Sequence, residues 1–257
     1  MFGRTKSTQQ PANPVALFKD PTGGPAVNLD KVAAAGHVNL AKTAGVVGVS
    51  LRKRGLAGMR GRVIVVLDHS GSMHSDYRSG VVQQLLLRTL AFGLQIDTDG
   101  SIEVVPFDSR VWPTVVVDTG NHQRVVEKSI WHPNDMGRTD LAAALDNVRR
   151  LAEKTDEPIV CVVITDGNPD SKPEATRVVC DLARYPVFLK FLAIRDVPYL
   201  QELDDLEQVK PGARLLDNVD AKTINDPAGM SDSDFAEAMT DEWDSWLAAA
   251  TAAGVVR

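Results

Sequence analysis

Three short stretches of this chain carry oxygen-bearing side chains at spacings that suit a bound cation. The first is Asp68-His69-Ser70-Gly71-Ser72, directly after the apolar run Val63-Ile64-Val65-Val66-Leu67. A carboxylate and two hydroxyls at alternate positions offer only hard oxygen donors, which suit Mg²⁺, Mn²⁺ or Ca²⁺ rather than zinc or copper. The second stretch is Gly137-Arg138-Thr139-Asp140 and the third is Thr165-Asp166-Gly167. Taken singly, each has a plainer reading. Asp68 and Ser70 could cap the helix that follows them, and Thr139 could cap a helix beginning at Asp140. Asp140 itself suits a helix start, where negative charge is favoured. Should the fold bring the three loops together, they could instead share one cation. His69 invites a catalytic reading, but as a variable position within the motif it is read as pointing away.

The elements that must position these residues follow from hydrophobic patterning. The run before Asp68 is rich in β-branched residues and apolar on both faces, the mark of a buried central strand in a parallel sheet. Asp68, Ser70 and Ser72 then lie in the loop at its carboxyl end, where open α/β sheets bind ligands. From Arg62 onward strands and helices alternate. Strands are predicted over residues 62–67, 101–107, 110–117, 159–165, 187–194 and 214–219. Helices are predicted over 80–94, 122–129, 140–153, 171–184 and 198–206. Ser231 and Asp234 form a near capping box for a last helix through Trp243 and Trp246. The two-residue connection Asp108-Ser109 implies an antiparallel pair. The predicted fold class is α/β: a doubly wound, mainly parallel six-stranded sheet of order 3-2-1-4-5-6, with one antiparallel edge strand and flanking helices. In that order the first and fourth strands are neighbours, which brings Asp68 and Asp166 together.

At 257 residues the chain can bury one full core. Residues 1–26, rich in Pro, Gly, Thr and Gln, are expected to be a flexible N-terminal arm. Residues 27–60 form an N-terminal helical extension, with one helix predicted over 28–54, and residues 61–257 the main domain with its C-terminal helix. The net charge of −6 argues against general nucleic-acid binding. A basic cluster of Arg52, Lys53, Arg54, Arg60 and Arg62 reads as a solvated element end. Cys161 and Cys180 read as buried thiols in a reducing compartment. No leader-like apolar core stands at the N-terminus, and no apolar run approaches the ~18 residues of a spanning helix. The expected location is the cytoplasm. Trp112 and Trp131 are expected in core or edge packing. Nothing in the sequence decides the oligomeric state.

The three loops together resemble the von Willebrand factor A fold with its metal-ion-dependent adhesion site, a Rossmann-like architecture. The match covers about residues 62–220. The resemblance implies that Ser70 and Ser72 bind the metal directly and that Thr139 is a further ligand, direct or through water. It implies that Asp68 and Asp166 hold metal-bound waters and the serine hydroxyls. Mg²⁺ takes six oxygens and keeps several waters. If its direct protein ligands are hydroxyls, its charge is only partly neutralised, and a carboxylate from another molecule can complete the shell. The expected partner is therefore a protein presenting Asp or Glu.

Further segments narrow the resemblance to the bacterial tellurium-resistance (Ter) proteins that carry this domain. They are Val27-Asn28-Leu29-Asp30-Lys31-Val32, the run from Val49 to Gly58, Tyr77-Arg78-Ser79-Gly80-Val81-Val82-Gln83 and Leu203-Asp204-Asp205-Leu206. With them the similarity extends over about residues 27–248, and a role in metal resistance or stress response is implied. Some members carry a calcium-binding Ter domain upstream, which residues 1–26 are too short to hold. Many relatives place glycines before the threonine of the second loop, where this chain has Arg138. That guanidinium is expected to pair with Asp135 or Asp140, or to clamp the incoming carboxylate. His74, Asp76 and Tyr77 are candidates for the rim of the contact surface.

The leading expectation is a non-enzymatic binding module. One alternative is a metal-dependent phosphohydrolase with Asp68 as nucleophile, although Ser70 stands where such enzymes usually place a second acid. Another is a subunit regulated by an ATPase acting in trans. No Gly-x-Ser-x-Gly elbow surrounds Ser70, and no dinucleotide or phosphate-loop motif follows a strand.

Overall fold

Strand β1 (Arg62–Asp68) occupies an inner position of the sheet and is buried along almost all of its length. Its alternate residues serve two cores. Val63, Val65 and Leu67 face one helical layer, and Ile64 and Val66 face the other. A computed structural model describes residues 10–257 of the chain. Two helices precede β1: α1 (Leu29–Ala34) and α2 (Val38–Lys53). After it come α3 (His74–Ser79), α4 (Val81–Ile96), β2 (Ser101–Phe107), β3 (Val115–Asp118), α5 (Leu141–Ala152) and β4 (Ile159–Thr165). Then follow α6 (Lys172–Leu182), β5 (Val187–Ala193), α7 (Pro198–Asp204), α8 (Leu206–Val209), β6 (Val219–Thr223), α9 (Asp232–Thr240) and α10 (Trp243–Ala252).

The strand order is β3-β2-β1-β4-β5-β6. All pairs are parallel except β2 with β3. The fold is thus the doubly wound sheet expected, with one antiparallel edge strand. β1 and β4 pair directly, so the loops carrying Asp68 and Asp166 open at the same edge of the sheet. One core layer takes residues from α2, α4, α9 and α10, with Trp243 edge-on to Phe92. The other takes residues from α5, α6 and α7. No helix among the described residues is long and apolar enough to cross a membrane.

Several boundaries differ from expectation for identifiable reasons. The single helix predicted over 28–54 is two helices, because Gly36 adopts a left-handed φ of +96°. The antiparallel pair does not run straight out of Asp108-Ser109. Phe107 and Val111 form an isolated bridge, Pro113 supplies no N–H, and β3 begins only at Val115. The helix predicted over 122–129 is one π turn, Val126–Ile130.

The last strand is Val219–Thr223, not 214–219. The apolar Leu215 and Leu216 drew the assignment forward, whereas the true strand reads polar because Asp220 is buried against Lys190 of β5. The terminal helix is broken between α9 and α10, where Glu242 takes a positive φ of 59°. Ser231 caps α9 by accepting from the Asp234 N–H, as predicted.

The expected loose arm is tied down from Gln10 onward. The Ala12 N–H donates to the Arg184 carbonyl, Val15 is buried beside Val256, and Asp20 pairs with the buried Arg60. Residues 1–9 of that arm lie outside the described residues. The basic cluster is solvated in part: Arg52 and Lys53 are exposed, whereas Arg60 is buried against Asp20, and Arg62 and Arg54 pair with Glu103 and Asp241. Cys161 is buried in the core and Cys180 is half-buried.

Asp97, just past α4, ties that helix to the start of β1. Its carboxylate accepts from the Val63 N–H at 3.1 Å and the Asp99 N–H at 3.0 Å. Burial nevertheless pushes its carboxyl up to about 6. A carboxyl whose folded value lies above its unfolded value holds its proton more tightly when folded. Its favourable contribution is complete below about pH 4 and is lost as pH rises through about 6. Wild type should therefore lose stability relative to Asp97→Asn between about pH 4 and 7, by on the order of 1–3 kcal/mol. Denaturant midpoints at the two pH values check this, and a constant gap between the proteins would contradict it.

Candidate metal centre

The site begins where β1 ends. Asp68 has no solvent exposure, and both carboxylate oxygens are engaged. Oδ1 accepts from the Ser70 N–H at 2.8 Å and Oδ2 accepts from the Thr165 hydroxyl at 2.6 Å. Burial pushes its carboxyl up to about 6, against these hydrogen bonds, which pull it down. Thr165 closes β4, so the bond from its hydroxyl locks the two central strand ends together. Asp68 thus sets the backbone of the loop that follows it.

That loop turns the serine hydroxyls toward each other. Ser70 makes no side-chain cap to the turn Gly71–Met73, which removes the plainer reading of this residue. Its Oγ instead lies 3.1 Å from Ser72 Oγ, and the Ser72 hydroxyl donates to Asp166 Oδ1 at 2.8 Å. The second loop is held alongside by a bridge between Ser70 and Gly137, with the Gly71 N–H donating to the Gly137 carbonyl at 2.9 Å. A Cβ at Gly137 would stand 2.8 Å from Ser109 Oγ and 3.1 Å from the Asp108 carboxyl carbon, so this close approach requires glycine.

Thr139 lies two residues beyond that bridge. Asp140, not Thr139, caps α5 by accepting from the Ala143 N–H at 3.1 Å. The Thr139 carbonyl accepts from the Asp170 N–H, and its hydroxyl has no hydrogen-bond partner among the described residues.

Tyr77, Asp76 and Arg138 sit differently from expectation, Asp76 because it is buried. Tyr77 is buried, its hydroxyl donating to the Asp68 carbonyl at 2.9 Å, so it supports the site from below and presents nothing to a partner. Arg138 pairs with neither Asp135 nor Asp140. Its Nε donates to Asp170 Oδ1 at 3.1 Å, and its side chain is largely exposed. His74 is exposed and meets Trp131 edge-on, while Trp131 stacks on Tyr77.

Sequence reasoning missed the supporting network. Asp108, just after β2, is buried, and its Oδ2 accepts from Trp112 Nε1 at 2.8 Å and contacts His69 Nδ1 at 3.1 Å. Its Oδ1 accepts from the Arg110 N–H, and its carbonyl accepts from the Asp140 N–H. His69 has no solvent exposure, and its Nε2 accepts from the His132 N–H at 3.0 Å. These two partners fix the neutral tautomer with the proton on Nδ1, and burial lowers the imidazole's tendency to gain a second proton. His69 therefore braces the loops through hydrogen bonds. The signal for Asp108 was its place, one residue past a strand at the same carboxyl edge as Asp68 and Asp166.

Among the described residues the arrangement is a pair of facing hydroxyls, one unpartnered threonine and two carboxylates behind them, at the switch point of a doubly wound sheet. Residues 60–256 match a family model described as the vWA-TerF-like domain, the vWA found in the TerF C terminus. The chain belongs to this family. A Bacillus subtilis protein described as the uncharacterized protein YcbR is 29% identical over 217 residues, covering 81% of this chain and 86% of its own length. Solved structures similar to this vWA domain are more distant. Manganese-loaded TRAP protein of Plasmodium vivax is 18% identical, with a TM-score of 0.47 over 71% of this chain and 72% of that one. A von Willebrand factor type A protein from Catenulispora acidiphila is 16% identical, with a TM-score of 0.45 over 72% of this chain and 43% of its own. Proximal thread matrix protein 1 from the mussel byssus, with a zinc-occupied MIDAS motif, is 16% identical, with a TM-score of 0.43 over 71% and 47%.

Proposed function

We propose that this vWA domain is a metal-dependent protein-binding module. It captures an acidic side chain of a partner through Mg²⁺ held by Asp68, Ser70, Ser72, Thr139 and Asp166, in the cytoplasm, within a bacterial tellurium-resistance or stress-response system. Mn²⁺ and Ca²⁺ share the same donor preference.

The observation that carries the reading is the spacing of the hydroxyls. An octahedral ion with oxygens at ~2.1 Å separates adjacent ligands by ~3 Å. Ser70 Oγ and Ser72 Oγ stand 3.1 Å apart without capping a helix. Asp166 holds the Ser72 hydroxyl, and Asp68 holds the loop backbone. Both carboxylates thus orient the donors, the role that outer-layer groups play around a metal. A bound divalent ion supplies positive charge and an open coordination position. The protein supplies neutral hydroxyl oxygens that leave much of this charge for an incoming carboxylate. Arg138 and His74 stand exposed on the second loop and on α3, and belong to the rim that a partner meets.

A phosphohydrolase with Asp68 as nucleophile fits poorly. That carboxylate is shut off from solvent, and each oxygen already accepts an internal hydrogen bond. The binding reading predicts capture of a protein partner from bacterial lysate that is abolished by EDTA and restored by Mg²⁺. Ser70→Ala and Asp166→Ala should both lose that capture. Capture that survives chelation would overturn the reading.

A further inference from the structure

Beside the hydroxyl pair lies a guanidinium that the metal motif does not include. Arg195 follows β5 at the same carboxyl edge of the sheet. Its Nη1 donates to Asp166 Oδ2 at 2.7 Å and its Nη2 to Asp76 Oδ2 at 2.8 Å. Asp166 is therefore shared: one oxygen takes the Ser72 hydroxyl and the other takes Arg195. The partners of the arginine are buried, with side chains 4% and 12% exposed, while Arg195 itself remains 45% exposed. Two carboxylates fix the guanidinium in place, yet it keeps a face in solvent. Only two of its five N–H donors are used. The others have no partner among the described residues.

Charge accounting shows what this does. Asp68, Asp76 and Asp166 together carry up to three negative charges around the hydroxyl pair. A divalent ion alone would share its charge with these outer carboxylates, which weakens its pull on a further acid. A fixed guanidinium cancels the remaining charge. It also offers planar, paired donors, the geometry that carboxylates favour. The same positive charge disfavours the metal, because it stands one carboxylate away from the metal's hydroxyl ligands.

We propose that Arg195 is the residue that tunes this site for carboxylate capture, lowering the site's affinity for the divalent ion while raising the affinity of the metal-loaded site for an acid. The proposal rests on the metal-binding reading above. It assigns the second contact of the partner's carboxylate to Arg195, ahead of Arg138, whose exposed guanidinium is held by Asp170 alone.

The test is paired titrations of the full chain and of Arg195→Gln and Arg195→Lys. Mn²⁺ uptake is followed by calorimetry. Acetate binding to the Mn²⁺-loaded proteins is followed by water-proton relaxation, as acetate displaces metal-bound water. Arg195→Gln should bind Mn²⁺ about tenfold more tightly, since a unit charge within several ångströms of a divalent ion is removed. It should bind acetate several-fold more weakly. Arg195→Lys, which keeps the charge but not the planar fork, should restore wild-type Mn²⁺ affinity and only part of the acetate affinity. Weakening of both ligands in Arg195→Gln would mean a merely structural role and would overturn the proposal, as would wild-type values for both. If wild type itself takes up no Mn²⁺, the metal reading fails first and this inference falls with it.

Discussion

Ser70→Ala should lower affinity for Mn²⁺ or Mg²⁺ by about 100-fold or more while leaving the fold intact. Changes in groups that merely orient metal ligands cost about 10–100-fold, so removal of a direct oxygen donor should match or exceed that range. The Ser70 hydroxyl meets Ser72 Oγ and the Asp68 carboxylate and caps no helix, so only modest stability depends on it. Ser72→Ala should behave similarly, with a somewhat larger structural effect because it also strips a donor from Asp166 Oδ1. Calorimetry on metal-stripped protein, with thermal midpoints measured alongside, separates affinity from stability. Unchanged metal affinity in both variants would remove the serines from any cation site.

The second large effect is expected away from the metal ligands. Asp108→Ala should destabilise the protein by about 2–3 kcal/mol, because it strands one buried and two part-buried donors at once. His69 Nδ1, Trp112 Nε1 and the Arg110 N–H all lose their acceptor. His69 lies between Asp68 and Ser70, so its release should loosen the first loop and weaken metal binding by about tenfold. Asp108→Asn keeps one carbonyl acceptor and should lose less of both. Denaturant unfolding and Mn²⁺ titration of the two variants measure these effects. An alanine variant within about 1 kcal/mol of wild type would show that the Asp108–His69–Trp112 network is not what holds the loops.

The contrast between Ser70 and Asp108 marks how far the sequence can be read. The sheet order was legible because β1 and β4 are continuous apolar runs that only a doubly buried strand explains. Asp68, Ser70, Ser72 and Asp166 were legible because they follow those runs directly. Thr139 rested on resemblance alone. The assignment of Asp140 as the α5 cap leaves its hydroxyl free for the role implied.

What escaped sequence reading depends on contacts between distant segments. β6 hides its alternation because Asp220 is buried beside Lys190, a pairing visible only once β5 and β6 lie side by side. Tyr77 looked like a rim residue until α3 folded under the loop and brought its hydroxyl to the Asp68 carbonyl. Arg195 sits in an ordinary-looking stretch after β5, and only the tertiary fold shows it bridging Asp76 and Asp166. The breaks at Gly36 and Glu242 arise from single left-handed residues, which periodicity averages away.

The most direct measurement is anomalous diffraction from crystals soaked in Mn²⁺. A peak lying within ~2.0–2.3 Å of both Ser70 Oγ and Ser72 Oγ, with Asp166 behind it, is the predicted result. A peak elsewhere, for instance among the clustered carboxylates of Asp204, Asp220 and Glu242, with nothing between the two serines, would contradict the account.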